Sequence, residues 1–149
     1  MIGYYSSKSL FFASALSLLV LASGCNDNSA GRVAVWGNVT WKGQAVPKGV
    51  VYFSPDTKKG NKGPQGYALI KDGRFDTRDA MSKGCVTGSQ VAIVHGCSGE
   101  GVNSRFPYGR NLFAPFEISL DVPAEGGQTD LIIPESAPRP AATLEMENE

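Results

Sequence analysis

The residues in this 149-residue chain that could carry chemistry are few and scattered. His95 is the single histidine. A metal centre or an acid–base pair needs partners at a defined spacing, and none stands at a recognisable ligand spacing from His95, which reads as a strand-end residue. Asp72, Asp76 and Asp79 resemble calcium-ligand spacing only loosely. They lack the full loop that surrounds the ion with six to eight oxygens, and Asp72-Gly73 is better explained as a hairpin turn. Lys58, Lys59 and Lys62 form a small basic loop, read as a solvated hairpin tip, with contact to an anionic glycan or lipid headgroup as the alternative. The residues therefore call for no catalytic group, no metal and no cofactor. Cys85 and Cys97 are open to three outcomes: an intramolecular disulfide, two free thiols, or a bond between chains. A strand from Ser89 to His95 would hold them about 20 Å apart at 3.3 Å per residue, whereas a disulfide requires Cα atoms within about 7 Å.

The best binding candidate is the stretch 104–116, which gathers Arg105, Phe106, Tyr108, Arg110, Phe113 and Phe116. Aromatics and arginines dominate interface hot spots. The competing reading is that Phe106 and Phe113 only cap the open end of the domain. Trp36 is a second exposed-aromatic candidate, for stacking on a sugar.

These groups must be positioned by short strands. The chain carries 18 glycines and 9 prolines, and among aromatic and β-branched residues they mark strands separated by turns. Val33, Val35, Val39 and Trp41 fall on one face of a period-two stretch, with Gly37 among them, and Ala34, Trp36, Asn38 and Thr40 on the other. Lys42-Gly43 turns, Val50–Ser54 is a second strand stopped by Pro55, and 56–64 is a polar loop. Gly66–Ile70 and Arg74–Thr77 flank Asp72-Gly73, residues that tolerate the positive φ of a tight hairpin. Gln90–His95 is apolar nearly throughout and reads as a central strand covered on both faces. Residues 97–114 form a long loop, and Phe116, Ile118, Leu120 and Val122 alternate with Glu117, Ser119 and Asp121. Thr129–Ile133 closes the domain, and 134–149, with three prolines and four glutamates, reads as a disordered acidic tail. No stretch reads as an amphipathic helix. Seven strands at roughly ten-residue spacing predict an all-β sandwich.

The amino terminus reads as an address. Only Lys8 is ionisable before Cys25, and Leu10–Leu21 is a run of about a dozen apolar or small residues. Such a run fits a signal peptide and is too short for a spanning helix, which needs about 20 apolar residues. The exit, Leu21-Ala22-Ser23-Gly24-Cys25, resembles the lipobox of bacterial lipoproteins. It departs in having Ala22 where leucine is commoner. The resemblance implies cleavage before Cys25, acylation of that cysteine, and anchoring in the cell membrane or outer membrane, facing away from the cytoplasm. An ordinary secreted protein cut nearby, with Cys25 free, is the alternative. Residues 1–24 would be the leader, 25–32 a short polar tether and 33–133 the domain. Removing Lys8 with the leader leaves 13 basic against 14 acidic side chains, a balance that makes no electrostatic case for nucleic acid, which wants a clustered basic face.

The domain resembles a transthyretin-like, carboxypeptidase regulatory-like (prealbumin/Ig-like) domain. Val35-Trp36-Gly37-Asn38-Val39-Thr40-Trp41-Lys42-Gly43-Gln44-Ala45-Val46-Pro47-Lys48-Gly49-Val50-Val51-Tyr52-Phe53 is similar to the family's opening, Ile70–Phe75 to its Asp-Gly hairpin, and Thr87–Val94 to a later strand that commonly carries tyrosine where this chain has Gln90. Those motifs are turn and core positions and speak to fold alone. The resemblance implies a seven-stranded β-sandwich acting as a non-catalytic envelope module. The related hydrolases of purine breakdown need several histidines and a terminal Tyr-Arg-Gly-Ser, whereas this chain has one histidine and ends Met146-Glu147-Asn148-Glu149. The expected role is contact with another envelope protein through the 98–114 loop, or alternatively carbohydrate or cell-wall binding by exposed aromatics.

Overall fold

The computed structural model describes residues 31–140. Within them the chain is all-β, apart from one 3-10 turn at Thr57–Lys59 that is capped by the Asp56 carboxylate. Residues 1–30, which include the expected leader, Cys25 and most of the expected tether, and the last nine residues lie outside the described residues. The strands are β1 (Arg32–Val33), β2 (Val35–Trp41), β3 (Gln44–Ala45), β4 (Lys48–Pro55), β5 (Gly66–Lys71), β6 (Arg74–Asp76), β7 (Cys85–Val86), β8 (Gly88–Cys97), β9 (Phe116–Val122), β10 (Gly127–Gln128) and β11 (Leu131–Ile133).

Each of the seven strand segments expected from the sequence contains a strand, and short ones join them. Two tight turns set the register. At Lys42-Gly43 and at Asp72-Gly73 both residues have φ between 50° and 76°, the conformation that two-residue hairpins of matching twist require. Most strands pair in one curled sheet in the order β10, β2, β6, β5, β4, β8, β9, with β3 and β11 also on β2. Its pairings are antiparallel except at β2, along which β10 and β11 run parallel. A separate antiparallel pair, β1 with β7, brings Val33 opposite Cys85.

The sheet curls around one apolar cluster because alternate residues of every long strand are apolar and point inward. Val35 and Val39 enter it from β2, Val51 and Phe53 from β4, Ala68 and Ile70 from β5, Phe75 from β6, Ala92 and Val94 from β8, and Leu131 and Ile133 from β11. Phe53 and Phe75 meet at 5.6 Å between ring centroids, each stabilising the fold by about 1.5–3 kcal/mol through burial. On β9 the expected alternation holds: Glu117, Ser119 and Asp121 are exposed, and Phe116, Ile118 and Leu120 pack against the cluster. Gln90 is buried and donates from Nε2 to the Val86 carbonyl at 2.9 Å.

Two expectations are corrected. β8 is central, between β4 and β9, but only its Gln90–Ala92–Val94 face is in the core. Val91, Ile93 and His95 lie half-buried on the outward face, where the Tyr52 ring packs against His95. The tail reading is also too broad. Ala137 is buried and the Pro138 carbonyl accepts from Ala114 N–H at 2.7 Å, so the chain at 137–138 is held against the domain although its neighbours are exposed.

Candidate binding surface

Residues 98–115 are an ordered ribbon, folded by their own backbone. Ser98 N–H donates to the Arg110 carbonyl at 2.9 Å and Gly99 N–H to the Tyr108 carbonyl at 3.0 Å, which prolongs β8 into a return limb. At the tip the Asn103 carboxamide oxygen accepts from the N–H groups of Arg105 and Phe106 at 2.9 and 3.0 Å, a local turn typical of asparagine. The ribbon is pinned where Phe113 enters the core. Phe113 is 1 % exposed and lies 5.5 Å from the Trp41 ring, over Gly96. A Cβ at Gly96 would stand 2.5 Å from the Phe113 ring, so glycine is needed there for the close approach.

The five loop residues singled out by sequence therefore divide. Phe113 belongs to the core, as the capping alternative held, and leaves the binding list because its ring is enclosed. Arg105 lies over the Phe106 ring at 5.6 Å, and Phe106 is half-buried. Arg110 is exposed. Tyr108, 51 % exposed, reaches the outward face of the sheet. There it joins Val50 and Tyr52 of β4 with Tyr67 and Leu69 of β5 around an open cleft of about 360 Å³.

Strand register builds that cleft. Val50 stands opposite Leu69, and Tyr52 opposite Tyr67, with 6.4 Å between the tyrosine rings. His95 meets the Tyr52 ring edge-on at 5.7 Å, so it buttresses the tyrosine from the neighbouring strand. Aromatic pairs in this range add about 0.5–1.5 kcal/mol beyond burial, enough to hold Tyr52 in place. Sequence reasoning missed Tyr52, Tyr67, Leu69 and Val50 as site residues. Their signal was parity: each occupies the outward phase of a strand whose inward phase is fully apolar.

The other candidates have ordinary partners. Trp36 is covered by Arg78, whose guanidinium lies 4.0 Å from the ring centre and is held there by a 2.6 Å ion pair with Asp76. The same hydrogen bonds hold the Asp76 carboxyl below the usual carboxylate range, against a smaller opposing effect of burial. Arg78 thus occupies one face of the partly buried Trp36 ring. Asp72 forms the hairpin turn, and Asp79 is exposed. Lys58, Lys59 and Lys62 are exposed, as a solvated loop requires, with Lys59 at 4.0 Å from Asp56. Cys85 and Cys97 are free and buried. Placement argues against a bond between them within the chain, since one thiol lies on β7 and the other at the far end of the ten-residue β8. Burial pushes the Cys85 thiol up to about 11, outweighing its own backbone hydrogen bond and the Arg32 charge, and raises that of Cys97 as well. Neither thiol is a nucleophile near neutral pH.

Comparison with known proteins returned no match: no family model, no curated protein and no solved structure aligns with the chain.

Proposed function

We propose that this chain is a lipid-anchored bacterial envelope protein whose curled sheet is a transthyretin-like β-sandwich, acting as a non-catalytic module that contacts another envelope protein. The anchor rests on the apolar run ending Leu21-Ala22-Ser23-Gly24-Cys25. The contact surface rests on one observation: Tyr108 of the 98–114 ribbon converges with Tyr52, Tyr67, Leu69 and Val50 on the outward face of the sheet. Tyrosine supplies large contact area with a polar tip, and exposed Arg105 and Arg110 flank it on the ribbon; these are the residue types that carry interface energy.

Combined substitution of Arg105, Tyr108 and Arg110 by alanine tests this reading through in-cell cross-linking and mass spectrometry. Loss of hot-spot residues weakens capture by about 30-fold or more. Capture unchanged by the triple substitution removes the ribbon from the interface. Three tyrosine rings about one cleft also favour a second reading, in which the cleft stacks on a saccharide of the cell wall. Under that reading the protein is retained on purified wall glycan and Tyr52→Ala releases it. Trp36→Ala, which removes a ring already covered by Arg78, has no effect.

A further inference from the structure

A second cleft opens where the chain joins the domain. It has a volume of about 660 Å³ and is lined by Arg32, Val33, Ala34, Arg78, Ser82 and Lys83 among others. Its cations differ in how they are held. Arg78 is neutralised by Asp76 and lies over the Trp36 ring, so it serves as wall. Among the described residues Arg32 is fixed by neutral groups only, its Nη1 donating to the carbonyls of Gln65 (3.0 Å) and Gly84. Those bonds orient the guanidinium and leave its charge and the remainder of its five N–H donors for a ligand. The Lys83 side chain is exposed and has no ion partner among the described residues. Asp79 is the one acidic residue of the lining, so the unneutralised charge of Arg32 and Lys83 against Asp79 is one positive unit. Ser82, also in the lining, has a buried hydroxyl with no hydrogen-bond partner among the described residues.

We propose that this cleft binds a phosphodiester monoanion, supplied by an anionic phospholipid headgroup or by a soluble phosphodiester. An oriented guanidinium and an ammonium match phosphate oxygens, and the Val33 and Ala34 wall accepts the glycerol carbons. The lipid source follows from position and rests on the anchor proposed above. Six residues, Asn26–Gly31, separate Cys25 from Arg32, and at 3.3–3.6 Å per residue they span about 25 Å at most, which keeps the cleft within reach of the headgroup layer.

The test is a titration of the full chain in neutral detergent, followed by tryptophan fluorescence, since Trp36 lies directly beneath Arg78 of the cleft. The two probes are dihexanoylphosphatidylglycerol and glycerophosphoglycerol, which is the same phosphodiester without acyl chains. Saturable binding of the lipid is expected, weakened about fivefold by Arg32→Gln and by Lys83→Gln and unchanged by Lys71→Gln in the distant hairpin. Equal binding of glycerophosphoglycerol, with the same dependence on Arg32 and Lys83, supports the cleft and assigns a soluble source. No saturable response to either probe overturns the proposal, as does equal weakening by Lys71→Gln, which would mean diffuse attraction. Lys83→Gln alters only an exposed side chain, so the test survives if Arg32→Gln fails to fold. The titration needs no acyl group on Cys25. Failure of the anchor is read separately, from the mass of the mature amino-terminal peptide.

Discussion

Replacing Phe113 by alanine separates the anchor of the ribbon from its contact residues. Phe113 is 1 % exposed, packs on Trp41 at 5.5 Å and fills the space left by Gly96. Truncating a buried phenylalanine removes its transfer free energy and leaves a cavity, together about 3–5 kcal/mol. Against a typical domain stability of about 5–15 kcal/mol, that is a large share. At about 4–8 °C per kcal/mol for a domain near this size, the melting midpoint should fall by about 12 °C or more. Phe106, half-buried under Arg105 at the ribbon's tip, is the matched control, and Phe106→Ala should stay within about 1 kcal/mol of the parent, the range of substitutions away from a core. Urea and thermal unfolding of the two variants, monitored by near-ultraviolet circular dichroism, make the comparison. Equal losses, or a larger loss for Phe106→Ala, would refute the assignment of Phe113 to the core and return it to the contact surface.

Three further outcomes are expected. Gly96→Val, whose Cβ would lie 2.5 Å from the Phe113 ring, should destabilise by about 1–3 kcal/mol or more through overpacking, and Phe113→Leu in the same chain should recover part of it in a double-mutant cycle. Cys85 and Cys97, buried with raised thiol pKa values, should resist alkylation at pH 8 in the folded protein and react fully in urea; mass spectrometry of the alkylated protein reads both. Asp130 is held below the usual carboxylate range chiefly by the Asn38 backbone N–H at 2.8 Å. Because its folded pKa is the lower one, its stabilising contribution is complete above the unfolded value of about 3.9 and is lost as pH falls through the folded value. Asp130→Asn should therefore lower the urea midpoint at pH 7 and flatten its decline between pH 5 and 2.

Much of the fold was legible because turns and alternation are local signals. Asp72-Gly73 and Lys42-Gly43 are written in residues that accept positive φ, and the apolar phase of β2 and β9 read from alternation packs in or against the core. What was not legible depended on which outward positions become neighbours. Tyr52 and Tyr67 are 15 residues apart, and only antiparallel register puts them side by side. Tyr108 reaches them because a ribbon with no periodicity of its own folds back through the Ser98–Arg110 and Gly99–Tyr108 hydrogen bonds. Phe113 was ambiguous for the same reason, as an aromatic in a polar loop reads alike whether it caps a core or faces a partner. The Arg78 that covers one face of Trp36 was likewise not legible, because it is placed there by the short-range pair with Asp76. Trimming the tail at 134 followed composition, and Ala137 is too small to announce its burial against the core.

The central claim is that the outward face joined by Tyr108 is where a partner sits. Photo-cross-linking in cells from position 108 tests it, with position 132 as the reference, because Ile132 is 73 % exposed on β11, at the other edge of the sheet from β8 and β9. The expected result is one discrete adduct from position 108, lost when Tyr52 and Tyr67 are replaced by alanine, and none from position 132. Adducts from both positions alike, or an adduct from 108 indifferent to Tyr52 and Tyr67, would contradict the account.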